Sequence, residues 1–228
     1  MTKIYCFSGN GHSFAVSKAL SDMLECEVNQ IGFESEKITK EDIVVVVFPV
    51  YCQNIPKLVK SFLKGLIAQH IVLIATYGKI SYGNVLYEAQ GLVHGDIIAG
   101  AYIPIGHTFL DGECSFDTEY LIPIAERIKA PQKIHIPKTH KNSLANIFPA
   151  LRSRLTVKIT KEKSCNNCGL CEELCPMGAM KNGKINYKCI RCLRCVTNCP
   201  QKALKYKNAW ILNKYLKSYY KEEYVLYL

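Results

Sequence analysis

Two cysteine words near the end of the chain carry its most specific chemistry. The first runs Cys165-Asn166-Asn167-Cys168-Gly169-Leu170-Cys171-Glu172-Glu173-Leu174-Cys175-Pro176, the second Cys189-Ile190-Arg191-Cys192-Leu193-Arg194-Cys195-Val196-Thr197-Asn198-Cys199-Pro200. Each reads C-x2-C-x2-C-x3-C-P, a spacing that folds three thiolates around one corner of an iron–sulfur cube and sends the fourth elsewhere. The two-residue gaps let backbone amides turn toward sulfur, and the proline stops the chain from continuing as helix. C-x2-C pairs also build tetrahedral zinc sites. Four cysteines with a lengthened third gap, twice over, fit zinc poorly. The words predict two [4Fe–4S] clusters.

Residues 160–206 resemble a bacterial two-cluster ferredoxin. In that family the fourth cysteine of each word ligates the cluster of the other word. The resemblance therefore implies one cluster on Cys165, Cys168, Cys171 and Cys199, and the other on Cys189, Cys192, Cys195 and Cys175. Metal–thiolate bonds would replace the apolar core that so small a unit lacks. Met177-Gly178-Ala179-Met180 and Gln201-Lys202-Ala203-Leu204 repeat one small-then-apolar ending after each word, which supports an internal duplication. Lys181-Asn182-Gly183-Lys184 between them is an Asn-Gly hairpin signal.

A second constellation lies at the front. Ser8-Gly9-Asn10-Gly11-His12-Ser13 follows the apolar strand Ile4-Tyr5-Cys6-Phe7 and precedes a helical stretch from Phe14 to Leu24. Strand, Gly/Ser loop and helix N-terminus can cradle a phosphate with backbone amides and hydroxyls. The loop is neither a Walker loop nor a G-x-G-x-x-G fingerprint. Two further loops carry aromatics and small residues where a flat ring could lie: Pro49-Val50-Tyr51-Cys52-Gln53-Asn54 and Thr76-Tyr77-Gly78, continuing to Tyr82-Gly83. Tyr51 is a natural stacking platform.

The elements that must position these loops are βα units. Ile43–Phe48, Ile71–Ala75 and Ile97–Tyr102 are continuous apolar runs, the mark of strands buried on both faces, and Cys26–Ile31 reads as an edge strand. Helical patterns at Pro56–Leu66, Val85–Leu92 and Asp117–Ile128 fill the gaps. Five strands alternating with helices predict an α/β fold, a doubly wound five-stranded parallel sheet with ligands at the carboxyl ends of its strands.

With its three loops, this part resembles a flavodoxin over about residues 1–130. The resemblance implies FMN, its phosphate on Ser8–Ser13 and its ring between the other two loops. Flavodoxins usually show Thr in place of Asn10 and Asn in place of His12. Asn10 can still donate to a phosphate, and His12 reads as a loop donor. The turn after Tyr51 lacks the usual glycine, which leaves Asn54 to visit positive φ. Cys52 reads as a small residue lining the ring pocket, and Cys6, Cys26 and Cys114 as core or loop cysteines.

The expected organisation is a flavodoxin-like domain at 1–132, a basic Pro-rich connector at 133–159 with a short helix near Leu144–Leu151, a two-[4Fe–4S] ferredoxin-like domain at 160–206 and a helical extension at 207–228. Trp210, Ile211, Tyr215, Leu216, Tyr219 and Tyr220 recur at helical spacing and read as packing against the neighbouring domain. The chain is similar to the fusions of flavodoxin domain and two-cluster ferredoxin, the iron–sulfur flavoproteins of anaerobic prokaryotes. That resemblance implies electron transfer between clusters, FMN and an external redox partner. The alternative is an FMN-dependent reductase of a small-molecule acceptor fed by the clusters. No acid/base constellation argues for a substrate-specific enzyme, and no catalytic residue is expected.

Charge points to a protein partner. The formal net charge is +10, but residues 1–132 hold ten Lys/Arg against fourteen Asp/Glu and residues 133–228 nineteen against five. Two oxidised clusters and a flavin phosphate would offset about −2 each. The basic half then reads as a dock for an acidic redox protein such as a ferredoxin. It carries no nucleic-acid-binding motif. Eight of the twelve cysteines lie in the cluster words, so the expected compartment is the reducing cytoplasm. Met1-Thr2-Lys3 runs straight into a strand, so no secretory leader is expected. No apolar run reaches the length of a membrane span.

Overall fold

A computed structural model describes residues 1–32, 41–110, 115–146 and 149–228. Cys114 lies outside these described residues. Five parallel strands form the central sheet: β1 (Thr2–Cys6), β2 (Val28–Gln30), β3 (Glu41–Pro49), β4 (Ile67–Tyr77) and β5 (His94–Pro104). Helices α1 (His12–Leu24), α2 (Lys57–Lys64), α3 (Val85–Gln90) and α4 (Ile122–Lys129) alternate with them. Successive side chains of a strand point to opposite faces. Accordingly Val44, Val46 and Phe48 feed a core with Val59, Leu63 and Leu86 of α2 and α3. Val45 and Val47 feed a second core with Val16, Leu20 and Ile124 of α1 and α4. Both faces of β3 are thus covered, which is why its sequence shows no polar alternation.

The second region begins after α5 (Pro149–Thr156), which starts later than the Leu144–Leu151 expected; Ser143–Asn146 is a separate 3-10 turn. Strand β6 (Val157–Lys161) opens the cysteine-rich unit, followed by α6 (Leu170–Glu173), β7 (Met180–Lys181), β8 (Lys184–Ile185), α7 (Arg194–Thr197) and β9 (Leu204–Asn208). Strands β6 and β9 pair antiparallel from Val157↔Asn208 to Lys161↔Leu204, so the paired unit spans 157–208, slightly wider than 160–206. Asn182 and Gly183, at φ 48° and 73°, form the tight turn of the β7–β8 hairpin, as the Asn-Gly pair predicts.

The extension beyond residue 207 departs from expectation. Helix α8 (Trp210–Ser218) buries only Leu216, and Trp210 is 75% exposed, as are most of the other aromatics expected in a core. After α8 the chain returns to the first domain as β10 (Val225–Tyr227), antiparallel to β5, with Leu226 opposite Ala101. The sheet is therefore six-stranded, in the order β2-β1-β3-β4-β5-β10. The expected five parallel strands are all there, and an antiparallel edge strand from the far end of the chain closes them.

The connector is a fixed strap. Ile134 N donates to Ile97 O, Gln90 bonds Ile136 through both amide atoms, and Ile136 fills the space over Gly100. Thr139 then holds Gly83 O and Asn84, and Lys141 holds Asn54 and Glu88, each by bonds of about 2.7–2.8 Å.

Candidate functional site

The two words fold alike. Asn167 and Arg191 take φ 59° and 58°, Gly169 and Leu193 take 81° and 61°, and Gly178 and Lys202 take 53° and 48°. Each fourth cysteine accepts a backbone N–H four residues on: Ala179 N to Cys175 Sγ at 3.2 Å and Ala203 N to Cys199 Sγ at 3.3 Å. Such bonds favour the thiolate. At Cys199, burial pushes the thiol up, but the amides of Ala203, Leu204, Gln201 and Lys202 together draw it below its ordinary value.

The cysteines ring two cavities. One is bordered by Cys165, Cys168, Cys171 and Cys199, the other by Cys175, Cys189, Cys192 and Cys195. Each ring combines three cysteines of one word with the fourth of the other. Among the described residues no three His, Cys, Asp or Glu side chains converge on one ion-sized point. A ring of thiols around a cavity is the donor set of a multi-iron cube rather than of one tetrahedral ion. Burial raises Cys192 to about 11 and Cys195 to about 12, so without a bound cation these thiols stay protonated. Iron supplies the charge that makes buried thiolates stable.

A third cavity, of about 440 Å³, opens at the carboxyl ends of the parallel strands. It lies where strand order reverses, β2 falling on one side of β1 and β3 on the other. Asn10 and His12 reach it from the loop after β1, Pro49 to Cys52 and Asn54 from the end of β3, and Thr76 to Gly78 from the end of β4. Ile105 to Phe109, after β5, form a further wall, with Gly106-His107-Thr108 at the same carboxyl-end position as the other loops. Lys57 and Lys60 of α2 and Arg191 also line it, and no carboxylate does among the described residues. The N-terminus of α1 adds a positive end, with no acidic residue in its first turn. These groups fit an anionic ligand with a flat apolar part.

Hydrogen bonds within and between the loops fix their shape. Ser8 Oγ accepts Gly11 N at 3.0 Å, and Gly11 at φ 103° turns the chain into α1. Ser13 is buried, its hydroxyl 2.8 Å from that of Thr76, so it braces the loop against β4. Tyr51 and Asn54 close a two-residue turn by mutual backbone bonds of 3.0 and 2.9 Å. Cys52 and Gln53, at φ 50° and 60°, take the left-handed positions expected of Asn54. The strap pins this turn, Asn142 N donating to Gln53 Oε1 and Asn54 Nδ2 to Ala145 O.

Tyr82 and Gly83 are not among the residues that line the cavity. The Tyr82 ring stacks on Tyr102 at 4.0 Å and its hydroxyl donates to Glu223, while Gly83 packs on Gln53. Tyr77 lines the cavity, but its hydroxyl is held by the C-terminal segment: it donates to Glu223 O at 2.7 Å and accepts Glu223 N at 2.8 Å.

Two histidines meet at the cavity. Asn10 Nδ2 lies 3.2 Å from His12 Nε2 and donates to Thr108 Oγ1 at 3.1 Å, tying the loops after β1 and β5 together. His107 packs against Gly78, where a β-carbon would lie 2.4 Å from its Cδ2. Phe109 N donates to His107 Nδ1 at 3.1 Å, which puts the proton of the neutral ring on Nε2. Burial, with repulsion from His12, lowers His107 to about 4. Burial also lowers His12, against a bond to Gly106.

The second cysteine ring adjoins this cavity. Cys192 borders both, with Ile190, Arg191 and Ser153 beside it on the cavity wall.

Comparison with known proteins gives the class of the second region. Residues 159–181 and 186–207 each match a family described as a 4Fe-4S binding domain, so the C-terminal part is an iron–sulfur region of ferredoxin type. Among solved structures, a candidate flavoprotein from Bacteroides uniformis is 14% identical at a TM-score of 0.38, covering 46% of this chain and 91% of its own. A second, from Bacteroides eggerthii, is 16% identical at a TM-score of 0.39, covering 56% and 97%. Both likenesses are too distant to bear on function. No curated protein matches the chain. Among the described residues no helix is long and apolar enough to cross a membrane.

Proposed function

We propose that this chain is an electron-transfer protein that relays electrons between two [4Fe–4S] clusters, an FMN and an external redox protein. One cluster is held by Cys165, Cys168, Cys171 and Cys199, the other by Cys189, Cys192, Cys195 and Cys175. The FMN occupies the large cavity, its phosphate toward Asn10, His12 and the start of α1, its ring along the loops that end β3 and β4. The observation that supports the reading is the double position of Cys192, which borders both the second cysteine ring and the large cavity. A cube moves one electron at a time and a flavin holds one or two, so adjacency lets the chain convert between them. The first ring, with Cys168 exposed, is the outer station, and the basic surface of this half suits an acidic donor such as a ferredoxin.

The test is stopped-flow reduction of the bound flavin by a low-potential ferredoxin, in the parent and in a variant with Cys165 and Cys168 both replaced by Ser. Slower flavin reduction in the variant, and slower encounter at high salt in the parent, are expected. A flavin reduced equally fast without the outer cluster would mean that electrons enter at the flavin, and the relay would be wrong.

A further inference from the structure

The ribbon of β6 and β9 has two unlike faces. Opposite residues of an antiparallel pair share a face, and successive residues alternate between faces. Val157 and Leu204 are buried on one face, where Ile159 borders the second cysteine ring and Lys161 and Leu204 border the first. The other face carries Lys158 opposite Lys207 and Thr160 opposite Lys205, all four exposed. Like charges directly opposite each other destabilise a ribbon. Lys161, on the inner face, is held by Asn167 Oδ1 at 2.7 Å. Lys158, Lys205 and Lys207 enter no ion pair among the described residues, and Glu162, just past the end of β6, pairs with none of them. Three cations without a counter-charge thus share the outside of a ribbon whose inside borders both cluster cavities.

We propose that this lysine face is the docking surface for the acidic redox protein of the relay, whose carboxylates supply the missing counter-charges. The inference deepens the electron-transfer reading above and rests on it. Position favours a redox protein over other polyanions. A partner seated on Lys158, Lys205 and Lys207 is separated from both rings by the ribbon alone, and Lys205 adjoins Leu204, a residue of the first ring's wall. A lipid surface or a nucleic acid gains the same charge contacts but makes no use of the clusters beneath. Exposed charge sets the rate and register of encounter more than its strength, which suits a carrier that must leave again. In the step itself one electron leaves the partner's reduced cluster and enters the nearer cube; no bond forms or breaks and no proton moves.

The experiment mixes the full chain, loaded with clusters and FMN, with a reduced acidic ferredoxin in stopped flow, following flavin absorbance across a salt series. It compares the parent with Lys158→Gln/Lys205→Gln/Lys207→Gln and with an equal charge change on exposed lysines outside the ribbon, Lys64→Gln/Lys129→Gln/Lys138→Gln. In the ribbon variant the second-order rate at low salt should fall on the order of tenfold and its salt dependence should flatten. Iron content and reduction by methyl viologen radical, a small cation, should hold, and the control should keep a rate close to the parent's. If the triple variant loses iron, Lys207→Gln alone, which removes the opposed pair, carries the same comparison. An iron-replete ribbon variant reduced as fast as the parent overturns the dock and leaves the relay standing. A control slowed as much as the ribbon variant also overturns the dock, since net charge then explains the effect. Retention of the parent on phosphatidylserine vesicles through the same three lysines, with the ferredoxin rate unchanged, assigns the face to lipid and overturns it too. A parent whose flavin the ferredoxin does not reduce overturns both the dock and the relay.

Discussion

Gly9 lies directly against Cys192: a β-carbon at position 9 would sit 2.5 Å from Cys192 Cβ and 2.6 Å from Tyr51 Oη. The loop after β1 and the second cysteine ring therefore meet with no side chain between them. Tyr51, expected as a stacking platform, sits at this junction; its ring lies edge-on to Phe7 at 6.5 Å, and burial holds its phenol well above the ordinary value.

Gly9→Ala tests the junction. The added methyl has to displace Cys192 or Tyr51, and overpacking of this kind costs about 1–3 kcal/mol. A lowered melting temperature and slower cluster-to-flavin transfer are expected with the first ring unaffected. A variant with the parent's melting temperature and transfer rate would show that the contact yields freely.

Cys175→Ser tests the crossed ligation. The serine belongs to the first word but borders the ring of Cys189, Cys192 and Cys195. Iron should fall from about eight to about four per chain, the content of one remaining cube. Paramagnetic resonance should assign the survivor to Cys165, Cys168 and Cys171. Loss of that cluster instead would show each word binding its own.

Ser13→Ala separates support from binding. Removing the hydroxyl leaves that of Thr76 buried and unpaired, at a cost of about 1–3 kcal/mol. Its urea midpoint should fall, whereas Asn10→Ala, at the cavity wall, should chiefly weaken FMN binding. An unchanged urea midpoint in Ser13→Ala would remove the bracing role.

His107 makes stability depend on pH. Its folded value of about 4 lies below the ordinary 6.5, so between the two the unfolded chain binds more protons than the folded one. Stability is then greatest above 6.5 and is lost as pH falls toward 4, by about 2 kcal/mol at pH 5. Flavin-free protein measured by urea unfolding from pH 7 to pH 5 should show this slope, and His107→Gln should flatten it. Equal slopes in both proteins would assign the dependence to other groups.

The cysteine words were legible because their geometry is local: spacing alone set the turns, the paired left-handed residues and the hairpin at Asn182-Gly183. The buried strands were legible from their unbroken apolar runs. What sequence could not supply was long-range placement. Tyr82 follows Thr76-Tyr77-Gly78 and so looked like a ring contact, but its ring stacks on Tyr102, its hydroxyl donates to Glu223, and it is not among the residues lining the cavity. The aromatic spacing after residue 209 predicted the helix correctly but not its exposure, since periodicity does not say which face is covered. Val225–Tyr227 is too short to announce itself as a strand, and only the open edge of β5 makes it one. Arg191 could not be assigned to the cavity from sequence because that cavity is built mostly by residues 10–109.

The return of β10 has a consequence for biosynthesis. Strand β5 ends at Pro104 and its edge partner begins at Val225, about 120 residues later. At ribosomal speed that interval is on the order of ten seconds, during which the outer edge of β5 has no strand beside it. An unpaired edge of that length recruits other strands. The nascent first domain is therefore most vulnerable while the iron-binding half is being made, and starving the cell of iron would lengthen that exposure. The expected signature of iron limitation is aggregation through the first domain, at the edge of β5.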